Sequence, residues 1–419
     1  MINMTENELR DYIFDNYSEY DSFNKIIIDN KELDEWNEDS FPPLSFLIKR
    51  MVETKINNTL NELVTLELDG KEIPLFREND STSRIDLIGR TSGAKGLTII
   101  ELKKSQQTER QSFTELLGYS NYFCNIFPGL NDKFITSVLI APMETRIVRD
   151  ALFQELLINN NKIISLMPVQ SYDNIKLRPY YPNEGYYKYF ENKILSDSGF
   201  SCISVEISNI DGYLDTKEVH GSPRQSNINI LNNITSMITQ KMESHGISGF
   251  AYSKQYWEDV AIKMQNPNII TIVFMNPFNI ENGNSEFINK TINKLKIQKD
   301  EWKSSIEIDY HSLISEIIRD IMKKSFMNSI DTKVNYELSY PFWCNIKNSA
   351  LESACVHHHN IYTTGLIRDI YLEYIEHIYK NKYDEIHYGD DLHAFAYSTY
   401  NKFFPVWRII SGLSNVENY

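Results

Sequence analysis

The chain has 419 residues, 42% of them hydrophobic and 24% charged, with a formal net charge of -15. That is ordinary globular composition, long enough for two or three domains and too apolar for a disordered chain. No run of apolar residues approaches membrane-spanning length and the start does not read as a signal peptide.

Residues 1–40 hold twelve acids (Glu6, Glu8, Asp11, Asp15, Glu19, Asp21, Asp29, Glu32, Asp34, Glu35, Glu38 and Asp39) against Arg10, Lys25 and Lys31. This acidic N-terminal segment accounts for much of the net charge. From 41 to 110 eleven bases slightly outnumber ten acids. Attraction to a phosphate backbone belongs to a patch and not to a total, so Lys49, Arg50, Lys55, Arg84 and Arg90 are candidates for such a patch or for a solvated face.

The prolines Pro42 and Pro43 suit a helix start, and Phe46, Leu47, Met51, Ile56 and Leu60 recur at helical spacing through Leu60. Val64–Leu68 alternates, Asp69-Gly70 reads as a hairpin turn, and a second run passes Ile73 and Phe76. Next come Ser83-Arg-Ile-Asp-Leu-Ile-Gly-Arg90, a Gly-containing turn, and Leu97-Thr-Ile-Ile-Glu-Leu-Lys-Lys104. Strand side chains alternate faces, so Glu101 and Lys103 share a face and sit about 6.6–7 Å apart. Asp86 ends the neighbouring apolar run. Burying carboxylates costs several kcal/mol unless they are paired or hold a metal, which points to a divalent cation as the partner of Asp86 and Glu101. The same residues also describe a cross-strand salt bridge on a solvated face. Thr108 reads as the cap of a helix through Phe113, Leu116, Leu117, Tyr119 and Phe123, which stops near Pro128-Gly129. Phe134–Ala141 is a buried-type strand, Arg146–Asn159 a helix, and Ile163–Val169 a further strand.

On these residues the region from Pro42 to Ala141 resembles the PD-(D/E)xK nuclease superfamily, the restriction-endonuclease-like fold. The resemblance implies an α/β core, a central mixed sheet flanked by helices. It also implies a Mg²⁺- or Mn²⁺-dependent hydrolase acting on phosphodiester bonds. Asp86, Glu101 and the backbone carbonyl of Leu102 match the family's metal ligands, and Lys103 its catalytic lysine. Many members add an acid from the preceding helix; Glu53 fits that place, with Glu62 nearer the helix end as the fallback. Some carry Gln-x-x-x-Tyr on the helix after the lysine; here Glu115 replaces the Gln and Tyr119 keeps the Tyr, while Gln111 lies one turn earlier. Lys104 points away from Lys103 along the strand, as a surface lysine or a phosphate contact. The family implies DNA rather than RNA as substrate, and by association a restriction or anti-phage role. A reading from another class is a catalytically silent nucleic-acid-binding or scaffold protein.

Residues 41–170 are thus expected to form the nuclease-like domain and 171–419 an α/β or mostly helical accessory domain, serving regulation, ligand or partner sensing, or a homodimer contact. Leu177–Phe190, rich in Pro and Tyr, reads as the connection between them. Beyond it we expect a helix through Ile230–Met242, strands at Gly249–Tyr252 and Ile269–Phe274, helices within 284–327 and 366–379, and an aromatic helical tail reaching Trp407 and Ile410. Cys355-Val-His-His-His359 reads as a surface or helix-start histidine cluster; metal binding there needs His357 or His359 to meet partners such as His377, His387, Asp390 or His393. Cys124, Cys202, Cys344 and Cys355 lack paired spacing, which suits reduced thiols in the cytoplasm.

Overall fold

The computed structural model describes residues 4–36, 42–76, 83–91, 96–105, 109, 111–127, 129–171, 174–193, 195, 199–208, 225–255, 268–276, 294, 299–326, 335–343, 345–347 and 358–380. The chain divides into two units, one of residues 1–40 and 49–184, the other of 41–48 and 185–419. It is an α/β protein.

In the first unit six strands run in the order β1 (Leu66–Pro74), β2 (Arg84–Thr91), β3 (Leu97–Leu102), β4 (Ile135–Ile140), β5 (Ile163–Ser171) and β6 (Asn174–Pro179). The first three pair antiparallel, β3 to β4 and β4 to β5 are parallel, and β6 returns antiparallel. The helices α1 (Glu6–Tyr17), α2 (Leu44–Leu63), α3 (Ser112–Ile126) and α4 (Arg146–Leu157) accompany the sheet, with α3 and α4 serving as the β3-to-β4 and β4-to-β5 crossovers. Parallel strands need such crossovers and are covered on both faces, which is why every residue of β4 but Ser137 is buried. Each fully buried Ile or Leu of such a strand contributes about 1.5–3 kcal/mol of burial free energy.

Two expectations are corrected here. Asp69-Gly70 makes no hairpin: β1 continues through it, and the register with β2 shifts between Leu68 and Gly70, so the pair forms a bulge. Residue 170 is no boundary, because it lies inside β5, which pairs with β6 through Gln170↔Ile175. The expected connection Leu177–Phe190 therefore begins inside β6, the last strand of this sheet, and ends inside α5 (Glu184–Lys193). The acidic N-terminal segment packs into this unit as a helix: Thr5 and Glu8 form a reciprocal capping box that starts α1, and Leu9 and Ile13 of α1 are buried.

The turn into β3 passes Gly96, at φ +118°, where a Cβ would lie 1.8 Å from the carbonyl oxygen of Phe134. Only glycine fits there, on both conformational and steric grounds.

The second unit holds an antiparallel sheet in the order β10 (Asn335–Ser339), β7 (Phe200–Ser208), β9 (Asn268–Met275), β8 (Gly249–Gln255) and β11 (His358–Thr364). Its core joins Ile203, Val205 and Ile207 of β7 and Ile270, Ile272 and Phe274 of β9 to the apolar stripes of α6 (Gln225–Ser244) and α7 (Lys299–Phe326). In α6 that stripe is Leu231, Ile234, Ile238 and Met242, at helical spacing. The final described helix is α8 (Gly365–Lys380). His358 and His359 open strand β11 and do not begin a helix. Cys344, Cys355, His357, His387, Asp390, His393 and the tail with Trp407 and Ile410 lie outside the described residues, as does Thr108; nothing is described of the side chain of His377.

Candidate active site

The β2–β3 register, Leu87↔Ile100 and Ile88↔Ile99, continues to place Asp86 opposite Glu101. Directly opposed residues of an antiparallel pair share a face, so the two carboxylates meet on one side of the sheet. The Leu102 N–H donates to Asp86 Oδ2 at 2.9 Å. The Lys103 N–H donates to the Ile140 carbonyl at 2.8 Å, which carries the strand geometry one residue beyond β3 and keeps Lys103 on the Glu101 face.

There the Lys103 ammonium donates to Glu101 Oε1 at 2.5 Å and lies 2.7 Å from Glu115 Oε2. Glu101 is 3% exposed, and its Oε2 is buried with no well-formed hydrogen bond. Burial first, and then the charge of Asp86, push the Glu101 carboxyl up to about 9, against the pull of Lys103. Burial also raises Asp86, with the Leu102 N–H, Lys103 and Arg10 opposing it and Glu6 reinforcing it. Burial pulls Lys103 down, yet the Glu101 and Glu115 carboxylates outweigh it and hold the ammonium above the usual lysine value. The Tyr119 hydroxyl donates to the Arg84 carbonyl at 2.9 Å; burial, followed by the charges of Glu101, Glu115 and Asp86, raises its pKa.

Of the expected site residues, Asp86, Glu101, Lys103, Glu115 and Tyr119 come together. Gln111 does not join them: it is exposed at the N-cap of α3, where its carbonyl accepts the Glu115 N–H. Lys104 is exposed and its N–H donates to Glu6 Oε1 at 2.8 Å. Glu53 is buried elsewhere in the unit, with Lys31 Nζ on its Oε1 at 2.7 Å. Glu62 pairs with Lys162 at 3.1 Å. Neither helix acid adds a third ligand, and among the described residues no three His, Cys, Asp or Glu side chains gather as a metal-holding group.

The expected basic patch does not assemble. Lys49 pairs with Asp34, Arg50 donates to the Asp34 carbonyl, Lys55 donates to the Leu156 carbonyl, and Arg84 and Arg90 face Glu72 and Glu67. What the sequence reading missed is the contribution of α1, whose Glu6 and Arg10 both act on Asp86. The Thr5-x-x-Glu8 box was the available signal for that helix.

Comparison of the chain with protein-family models, curated proteins and solved structures finds no match.

The donor set suits a hard divalent cation. Mg²⁺ keeps several waters and is commonly held by one or two carboxylates plus substrate phosphate oxygens, and Asp86 with Glu101, whose Oε2 has no well-formed hydrogen bond, supplies that kind of donor. Among the described residues no helix is long and apolar enough to cross a membrane.

Proposed function

We propose that the first unit is a metal-dependent nuclease that hydrolyses phosphodiester bonds, with DNA as its substrate. The observation that carries this reading is the buried Glu101 carboxylate facing Asp86, with Lys103 on one oxygen and no well-formed hydrogen bond at the other. Such a group is costly to bury, and a cation opposite it removes the cost.

Asp86 and Glu101 would hold the ion, with the Leu102 carbonyl as the third ligand that the family resemblance implies. A bound Mg²⁺ or Mn²⁺ supplies charge stabilisation at the phosphate and lowers the pKa of water toward neutrality. Lys103 keeps its proton at Nζ because two carboxylates favour the charged form. It therefore acts as a hydrogen-bond donor and a positive charge toward the phosphate, and not as the base that takes a proton from water. Glu115 and Tyr119, from α3, fix Lys103 and the start of β2. Arg84 and Lys104, both exposed beside this cluster, supply cationic contacts for the flanking phosphates.

A nicking assay on supercoiled plasmid and on single-stranded DNA and RNA, with Mg²⁺, Mn²⁺ or EDTA, tests the proposal. The expected result is cleavage of DNA with either ion and none in EDTA. Undiminished cleavage in EDTA, or by Asp86→Ala, overturns it.

A further inference from the structure

Arg10 is a buried guanidinium, 6% exposed, on a helix otherwise dominated by acids. Its Nη1 donates to Glu72 Oε1 at 2.8 Å and to Asn7 Oδ1 at 3.2 Å, while Nε and Nη2 both reach Asp11 Oδ1 at 3.4 Å. The same Nη1 lies 4.0 Å from Asp86 Oδ1. At that separation the charge attracts the carboxylate without occupying a lone pair as a hydrogen bond does. The other Asp86 oxygen is fixed by the Leu102 N–H. Asp86 is thereby gripped at Oδ2 and drawn toward Arg10 at Oδ1, with Oδ1 left open as a ligand atom.

Resting on the reading of this cluster as a cation-dependent phosphodiesterase site, we propose that Arg10 is a positioning residue for Asp86. It orients Oδ1 for the incoming ion and balances carboxylate charge before the ion arrives. Burial and three acceptors of its own keep Arg10 from serving as a clamp on substrate phosphate. A role as a plain anchor of α1 to β1 needs only the bond to Glu72, and predicts no effect on ion affinity once the chain is folded. Groups that orient a metal ligand in this way change metal affinity by about 10–100-fold when removed.

The test is Mn²⁺ titration by calorimetry on the full chain, without substrate, for the wild type, Asp86→Ala, Arg10→Met and Arg10→Lys. We expect binding by the wild type, its loss in Asp86→Ala, affinity about 10–100-fold weaker in Arg10→Met, and partial recovery in Arg10→Lys. Affinity in Arg10→Met equal to or tighter than the wild type overturns the role of Arg10 and leaves the nuclease reading standing. Absence of binding by the wild type, or wild-type affinity in Asp86→Ala, overturns the nuclease reading itself. If circular dichroism shows Arg10→Met unfolded, Glu72→Gln decides, since it loosens Arg10 without removing it: affinity weakened by a smaller factor supports the proposal, and unchanged affinity overturns it.

Discussion

Glu53 and Glu101 are both buried almost completely in the first unit, and their surroundings differ in the way that matters. Glu53, 1% exposed, meets the Lys31 ammonium at 2.7 Å, with Lys49 close enough to feel its charge. Glu101, 3% exposed, has one lysine shared with Glu115, a second carboxylate opposite it, and an oxygen with no well-formed hydrogen bond. One carboxylate is neutralised by its own fold, whereas the other is crowded by like charge. Burial alone therefore marks no site; burial together with crowding by a second carboxylate is what sets Glu101 apart from Glu53.

The sharpest way to break this contrast is mutagenesis at the two positions. Alanine at Asp86, Glu101 or Lys103 should lower Mg²⁺-dependent nicking by about 10²–10⁴-fold, while Glu53→Ala keeps the wild-type rate per folded molecule. A loss at Glu53 as large as that at Glu101 would merge the two regions into one site.

Stability in EDTA should then show the crowding directly. Below pH 4.5, the ordinary value for Glu101, folded and unfolded chains both hold its proton; above it the unfolded chain releases the proton while the folded one retains it to about 9. Because the folded state binds more protons, stability falls with pH across that window, and Asp86 adds a contribution of the same sign. Thermal melts in EDTA should therefore drop from pH 5 to 9, Glu101→Gln should flatten the slope, and Mg²⁺ should recover part of the loss at pH 8. A wild-type profile no steeper than that of Glu101→Gln contradicts the assignment.

Smaller effects refine the picture. Glu53→Gln should cost about 1 kcal/mol in urea unfolding, kept modest because Lys31 is 36% exposed and can return to water. Tyr119→Phe, which removes the bond to the Arg84 carbonyl, should cost about 0.5–1.5 kcal/mol and leave cleavage within about tenfold of the wild type. A collapse of activity in Tyr119→Phe would place its hydroxyl among the reacting groups.

Much of this was legible along the chain because local rules and burial agreed. The strands holding Asp86 and Glu101, the helices at 44–63 and 146–157, and the buried run of β4 each carry a clear period. Legibility failed where tertiary pairing decided the outcome. Asp69-Gly70 has turn chemistry, yet pairing with β2 on both sides of it made a bulge. Glu53 has the right helix and the wrong partner, since nothing in its own segment reveals that Lys31 folds back onto it. In the second unit, β8 and β9 were readable as short apolar runs, whereas β7 was not read although Ile203, Val205 and Ile207 alternate along it; β10 and β11 are short, half-buried strands whose pattern emerges only beside β7 and β8. Glu6 and Arg10 act on Asp86 from a helix distant in sequence, which no spacing rule connects to it.

Gly96 has a consequence for evolution of the chain. It sits five residues before Glu101, where β3 and β4 enter side by side as Leu97↔Ile135. A larger residue there must lift one strand entrance off the other, and the displacement would pass along the ladder to the Glu101↔Leu139 pair. The acid can thus be disarmed without being touched. A glycine with no chemistry of its own becomes as intolerant of substitution as the residues that bear charge.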